Sequence, residues 1–514
     1  LDPPFNSNAS YNVLFREKSG EDSAAQIRAF DDTWHWTHES AEVYHILVTQ
    51  GPRKLADLLK AMVGFLGHND MMAYLVMMAA RIVELHRVLR QTGSLYLHCD
   101  PTASHYLKLV LDAVFGVDQY RNEIVWKRTT THSDSKTWSR VADVIFFYTK
   151  GPQFTWNVPR EAHSEEYLES KYRHDDGDGR VYRLDNMTSP NPRPNMMYEW
   201  NGFPYPPKGW RYSLETMKNL DAAGRIWYPR HADGSLDHSK RPQLKRYLDE
   251  MEGGVMGTIW TDIFPINSQA QERLGYPTQK PEQLLERIIR ASSNEGDVVM
   301  DPFCGCGTAI AVGERLNRRW IGIDITYLAI NLVQRRLKDS FAANLHPFEI
   351  VGAPKDLAGA EALKKIDPFQ FEWWAVDLVD ARPGKDKKKG ADAGVDGYIN
   401  FFDDHRGAAK KLIVQVKSGH TGVHHVRDLK GTMEREKAVI GALLILEEPT
   451  AAMNREAAAS GFYEPPELPG RFPRVQIRTI AELLDGRKLD FPQFRIETFQ
   501  RAERKTKAEQ PGLF

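Results

Sequence analysis

Cysteine is scarce in this sequence. Cys99, Cys304 and Cys306 are the only three. They are too few for a disulfide scaffold and lack the paired spacing of a zinc site, so a reducing, cytoplasmic setting is expected. No apolar run reaches about 18 residues, so no membrane span is expected. Charge of one sign is not in excess either: 68 Lys and Arg face 69 Asp and Glu, for a formal net charge of -1. Bulk attraction to nucleic acid is thereby excluded, and any such contact must come from local basic surface. No Gly-x-x-x-x-Gly-Lys-Ser/Thr occurs, which argues against an ATP-driven motor. The opening Leu1-Asp-Pro-Pro-Phe5, without a methionine, is expected to lie inside a motif, so a leader is not judged from this end.

What is present is a globular composition, 41% hydrophobic and 27% charged, over 514 residues. That length suits about three domains at roughly 150 residues each. Leu75, Met78, Ile82, Leu85 and Leu89 recur at helical spacing over 71–91, and Gly93 ends that run. Residues 93–99 read as a buried strand and 102–115 as an amphipathic helix. The strands 122–127 and 141–150 have no helix-length segment between them, so they should pair antiparallel. Over 151–275 the texture turns to Pro, Gly, Asp and aromatics, which reads as a loop-rich but ordered insert. Order returns as helix 281–292, strand 297–301, a Gly-rich turn, helix 308–316 and strand 320–325. This is a βαβ unit of a doubly wound sheet, and a helix over 327–341 follows it. Beyond about 350 a separate α/β domain is expected. Its helices lie at 367–380 and 424–434, and its strands at 395–402, 411–417 and 440–447.

Gly305 and Gly307 in Asp301-Pro-Phe-Cys-Gly-Cys-Gly-Thr308 let the backbone turn tightly and approach a ligand. The next strand brings Asp324, an acid suited to ribose hydroxyls. Alone, such a turn reads equally as structural. Asp2-Pro-Pro-Phe5 likewise reads alone as a proline-rich turn. Asp2 and the carbonyl of Pro3 could accept both N–H groups of an amine, the two prolines stiffen the loop, and Phe5 could stack on a base.

Together these segments carry a resemblance. Residues 301–308 look like the S-adenosylmethionine motif of amino-group DNA methyltransferases. Tyr276-Pro-Thr-Gln-Lys-Pro281 is similar to the segment completing that family's cofactor pocket, and Asp2-Pro-Pro-Phe5 resembles its catalytic motif. Catalytic motif first and cofactor motif last is the order of the β class. The resemblance spans about 1–350. It implies a Rossmann-like α/β fold with permuted motif order, and a discontinuous catalytic domain of 1–150 and 276–350. It makes 151–275 the target recognition insert. Asp2, Pro3, Pro4 and Phe5 are the implied catalytic residues. Thr278, Lys280, Asp301, Phe303, Gly305, Gly307, Thr308 and Asp324 are the implied cofactor contacts. The implied reaction moves a methyl group to the exocyclic amine of a base flipped from double-stranded DNA. Asp at the first motif position leans towards adenine N6, with cytosine N4 the alternative. Cys304 and Cys306 are expected to be small loop residues and not nucleophiles.

Other residues divide between roles. His98 and Asp100 end a strand on the ligand side of the sheet, and read as a structural pair before a functional one. Trp34, His35 and Trp36 read as packing. Lys127, Arg128 and Thr129–Thr131 suit either phosphate contact or a solvated hairpin.

In 351–514, Glu372, Asp396, Gln415 and Lys417 resemble the Mrr-type restriction endonuclease pattern. That resemblance implies Mg²⁺ held by Asp396 and Gln415, with Lys417 orienting a water. Gln415 stands where many nucleases of this broad fold carry Glu, though the Mrr-type branch resembles this sequence in using Gln; a neutral amide weakens metal attraction, so a domain that only binds DNA stays open. The run Lys385–Lys389 reads as a solvated loop or a phosphate contact. The expected whole is a restriction–modification protein acting on duplex DNA, with a second copy of itself as a further candidate partner and no membrane. A binding protein that has lost its activities, or a methyltransferase for small molecules or proteins, are the alternatives. The intact motif set opposes the first, and the long insert and nuclease-like tail oppose the second.

Overall fold

The apolar spacing over 71–91 becomes the helix Asp70–Val88 in the computed structural model, capped where Asn69 accepts the Met72 N–H at 2.9 Å. The structure describes residues 1–3, 10–13, 27–31, 35–131, 136–267, 270, 272–274, 276, 278–384, 394–403, 409–466, 469–492 and 495–496. Met72, Leu75, Met78 and Ile82 of this helix are fully buried. They pack with two helices the sequence reading did not mark, His38–Gln50 and Arg53–Leu66, and with the helix Ser104–Phe115.

That core lies against a four-stranded sheet in the order Ile259–Trp260, Tyr120–Lys127, Ala142–Thr149, Ser94–Cys99. Tyr120–Lys127 and Ala142–Thr149 pair antiparallel, as the missing crossover helix required. Ser94–Cys99 is antiparallel to Ala142–Thr149. Its other edge takes Leu1, whose carbonyl accepts the His98 N–H at 3.0 Å and whose nitrogen donates to the Tyr96 carbonyl at 2.8 Å. Asp2 is thereby set beside the carboxyl end of the strand.

The βαβ unit forms as expected. Val298–Asp301 and Arg319–Gly322 pair in parallel, joined by the helix Thr308–Arg315. The helix Tyr327–Phe341 follows, and its Val333, Leu337 and Phe341 pack with Cys304 and Ile310.

Val158–Gly257 forms a compact unit of its own, and Leu1–Asn157 with Thr258–Phe514 forms the other. The smaller unit holds an antiparallel sheet in the order His174–Asp175, Val181–Asn186, Gln243–Tyr247, Ile226–Trp227. The aromatics that argued for order are its core, where Trp200 and Trp210 pack with Met187, Met217, Ile226 and Leu244.

The C-terminal α/β domain is built on a six-stranded sheet. Lys410–Lys417, Ile440–Ile445 and Val475–Thr479 run parallel, and the helix Val423–Arg435 crosses between the first two. Gly397–Phe402 flanks them antiparallel. Every residue of Ile440–Ile445 is buried, the mark of a strand covered on both faces. Lys385–Lys389 lies outside the described residues. Among the described residues no helix is long and apolar enough to cross a membrane.

Candidate functional site

Three segments far apart in sequence meet at the end of the strand Ser94–Cys99. Asp2 arrives from the chain start, 278 positions from Lys280. The Lys280 ammonium donates to Asp2 Oδ2 at 2.7 Å and to the Thr278 carbonyl at 3.2 Å. The ring of His98 presents Nδ1 to Asp2 Oδ1 at 2.9 Å. Burial alone would raise the Asp2 carboxyl, but the Lys280 ammonium and the His98 hydrogen bond pull it well below the ordinary carboxylate range. Asp2 is therefore an ionised acceptor. Pro3 beside it is buried, while Pro4 and Phe5 lie outside the described residues.

The glycine turn meets this point from the other side. Gly305 and Gly307 sit at φ of 48° and 74°, in the left-handed region. A Cβ on Gly305 would come within 3.1 Å of the Tyr276 ring, so Tyr276 packs directly on the turn. Asp324 organises the same turn: its Oδ2 accepts the Gly305 N–H at 3.0 Å, and its Oδ1 accepts the Thr326 N–H and hydroxyl, each at 2.9 Å. Asp301 is buried and accepts the Phe303 N–H at 3.2 Å. Phe303 packs with Leu1 against the first core.

Burial raises the carboxyls of Asp301 and Asp324, and for Asp301 the nearby Asp2 and Asp324 charges raise it further. A cationic ligand among these acids would relieve both penalties, so the cradle fits a small cation-bearing molecule. Cys304 and Cys306 are buried, and burial pushes both thiols up, as expected for loop residues that are not nucleophiles.

His98 and Asp100 take different roles. Asp100 accepts from the Thr102 N–H and hydroxyl and from the Ala103 N–H, so it shapes the turn into the helix Ser104–Phe115. His98 instead touches Asp2 and, through Nε2, reaches Asp143 Oδ2 at 3.0 Å. Arg128 Nε lies 2.8 Å from Asp143 Oδ1, an ion pair that leaves the arginine side chain 45% exposed. Trp36 packs as expected, 4.5 Å from the His68 ring, while Trp34 lies outside the described residues.

Sequence reasoning missed Asp143 and Arg336. The pairing of His98 with Ile145 places Asp143 one diagonal step from His98 on the same face, a relation the strand register could have exposed. Arg336 is buried and donates to the Cys306 carbonyl at 3.3 Å, Thr308 Oγ1 at 3.1 Å and Glu282 Oε1 at 2.9 Å. It straps the glycine turn to the helix Glu282–Ser292, and Thr308 faces this strap.

In the C-terminal domain, Asp396 Oδ2 accepts the Val416 N–H at 2.7 Å. The buried Gln415 amide donates to the Gly394 carbonyl and to Thr432 Oγ1. Glu372 lies on the helix Pro368–Asp377, and Lys417 ends its strand. Among the described residues no group of three His, Cys, Asp or Glu side chains could hold a metal ion. At the expected Mg²⁺ site the Gln415 nitrogen is turned to a carbonyl while its Oε1 is buried without a hydrogen-bond partner, and Asp396 Oδ2 is tied to the backbone, so these two residues alone build no cation cage.

A family model described as DNA methylase matches residues 1–335. A second, described as NACHT-associated inactive Restriction Endonuclease 1, matches residues 370–485. The chain is 31% identical over 267 residues to the type II methyltransferase M.EcaI of Enterobacter cloacae, covering 51% of this chain and 57% of that protein. It is 41% identical over 161 residues to the type II methyltransferase M.HpaI of Haemophilus parainfluenzae, covering 30% and 50%. It is 39% identical over 118 residues to the DNA adenine methyltransferase YhdJ of Escherichia coli (strain K12), covering 22% and 39%. The chain spans about half the length of the first two of these relatives. Among solved structures, the M1.HpyAVI–SAM complex has a TM-score of 0.29 at 14% identity, covering 51% of this chain and 82% of that one. The cytosine-N4-specific PvuII DNA methyltransferase has 0.27 at 11%, covering 52% and 72%.

Proposed function

Because the chain belongs to the N6/N4 DNA methylase family, we propose that it moves a methyl group from S-adenosylmethionine to the exocyclic amine of a base in duplex DNA, adenine N6 in the first place. The carrying observation is the Lys280–Asp2 ion pair, with Tyr276, four residues before Lys280, packed on the glycine turn. Tyr276, Asp301, Phe303, Gly305, Gly307 and Asp324 are the residues that would hold the cofactor. Its sulfonium supplies an electrophilic methyl group when bound.

The chain's own part is orientation and electrostatics. Asp2 is ionised, and its two oxygens have about four lone-pair sites, so it can accept an amine N–H while keeping His98 and Lys280. An amine nitrogen whose hydrogens are drawn to acceptors is the better nucleophile. The base must leave the duplex to reach this point, at a few kcal/mol of unstacking. The unit Val158–Gly257 is assigned as the target recognition region, since an aromatic-cored insert in the chain has no other role in the chemistry.

The C-terminal domain is assigned to DNA binding without cleavage. The match to an inactive restriction-endonuclease family, with the neutral amide of Gln415 where a second carboxylate would draw a cation, supports this over a cleaving nuclease.

The test is incubation with random-sequence duplex DNA and methyl-labelled S-adenosylmethionine, followed by nucleoside analysis. Label in N6-methyladenosine is expected, and label in N4-methylcytosine would correct the base. Asp2→Ala should lower transfer by about 10²-fold or more. Equal transfer in parent and variant would remove Asp2 from the site.

A further inference from the structure

Behind Asp2 runs a row of side chains in which His98, Asp143 and Arg128 belong to no motif. Lys280, Asp2, His98, Asp143 and Arg128 follow one another at 2.7, 2.9, 3.0 and 2.8 Å. The His98 side chain is 6% exposed and that of Asp143 is 1% exposed. We propose that His98, carrying a proton on both ring nitrogens between Asp2 and Asp143, is a positioning residue that fixes the Asp2 carboxylate for methyl transfer. The proposal rests on Asp2 being the acceptor for the target amine.

Hydrogen-bond counting carries the first half. Each ring nitrogen faces a carboxylate oxygen, and ionised carboxylates only accept. A neutral imidazole has one N–H, so one of the two contacts would set lone pair against lone pair in a buried place. With both nitrogens protonated, both contacts become charge-assisted hydrogen bonds. The row then alternates cation, anion, cation, anion, cation from Lys280 to Arg128. Of the acids further out, Asp100 serves its own turn, Asp301 accepts the Phe303 N–H and Asp324 accepts the Gly305 N–H.

The fold carries the second half. Asp143 stands opposite Trp126 in the sheet, and Ile145 stands opposite His98, so Trp126, Asp143 and His98 share one face. The Trp126 ring closes on His98 edge-on at 5.7 Å. The ring therefore has little freedom, and it passes that rigidity to Asp2 Oδ1. A histidine kept only for the core would not need to end on the candidate catalytic acid. The His98 contact falls on Asp2 Oδ1, the carboxylate that would accept the target amine, so the effect belongs in the turnover step.

The test uses the full chain labelled with ¹⁵N-histidine. The His98 signals are assigned by their loss in His98→Gln. Near neutral pH both ring nitrogens should show the protonated pattern, and Asp143→Asn should shift them towards the neutral one. A neutral His98 ring in the parent overturns the proposal whether or not the protein methylates DNA. In kinetics, Asp143→Asn should lower kcat for transfer to duplex DNA by about tenfold or more, while KM for S-adenosylmethionine changes by less than about threefold. The asparagine keeps the size of the buried side chain, so this variant serves where His98→Gln fails to fold, and thermal unfolding checks both. A parent that methylates DNA while Asp143→Asn keeps its full kcat overturns the positioning role alone. A parent with a doubly protonated His98 and no transfer to DNA overturns the methyltransferase reading and, with it, this role.

Discussion

The left-handed turn at Gly307 sets a sharp limit on what residue can stand there. A Cβ would meet Val333 Cγ2 at 2.7 Å, at a φ of 74° that L side chains rarely adopt. Gly307→Ala should therefore cost about 1–3 kcal/mol, read as a lower urea midpoint, and should weaken S-adenosylmethionine binding in a titration. Acid acts on the same site through Asp2. Asp2 titrates well below the ordinary carboxylate range when folded, held there against burial by Lys280 and His98. On unfolding it regains the ordinary value, so the unfolded chain binds the extra proton as pH falls. Its contribution to stability is complete above the ordinary carboxylate pKa and is lost as pH drops through the folded one. Between about pH 5 and pH 3 the parent should lose more stability than Asp2→Asn, and parallel losses would refute the linkage. These residues were legible because their signals are local: glycines in a turn, an acid after the next strand. Asp143 was not, because its partner His98 is 45 positions away and only the register of two antiparallel strands unites them. Lys280, expected at the cofactor, also sets its ammonium on Asp2, a pairing across 278 positions that no local pattern encodes.

At the scale of elements, the helix Tyr327–Phe341 holds the glycine turn by one buried side chain. Arg336 bonds Cys306, Thr308 and Glu282 together, and Arg315 lies farther from Glu282, at 3.6 Å. Arg336→Met keeps the side-chain length and removes every donor. It leaves the Cys306 carbonyl without this donor and Glu282 with its weaker partner, so a loss of about 3–5 kcal/mol is expected from urea unfolding. An unchanged midpoint would mean the strap contributes nothing. The elements around this strap followed their apolar periods in sequence. Two helices escaped that reading for different reasons. His38–Gln50 buries Leu47 but Val43, Tyr44 and Val48 only in part, and the exposed Ile46 blurs the stripe they make. Arg53–Leu66 has its stripe in Leu55, Leu59 and Met62, with Pro52 before it and Gly67 after it, and was there to be read.

At the scale of the whole molecule, the order of the parts was legible from texture: ordered α/β, aromatic loops, ordered α/β, then a second sheet. The chemistry of the last part was less so, because Asp-Gly and Gln-Val-Lys are short and their meaning depends on where Gln415 turns its amide. That sheet is not a passive appendage to the first. Tyr327 opens the helix after Asp324, yet its ring packs with the C-terminal core, and its N–H donates to Gln370 Oε1 at 3.3 Å. Arg335, two turns along the same helix, reaches Asp377 at 3.1 Å and Asp380 at 3.3 Å. The helix Pro368–Asp377 is thus anchored to the element that begins at the candidate cofactor acid. If this anchoring transmits order, Tyr327→Ala in the full chain should speed amide hydrogen exchange in two places, over 368–377 and over the first turn of Tyr327–Phe341 beside Asp324. Saturating S-adenosylmethionine should slow exchange at both, because a ligand that orders one end of a shared helix orders what packs on it. Exchange that responds only near Asp324 would show that the two sheets share a surface without sharing a response.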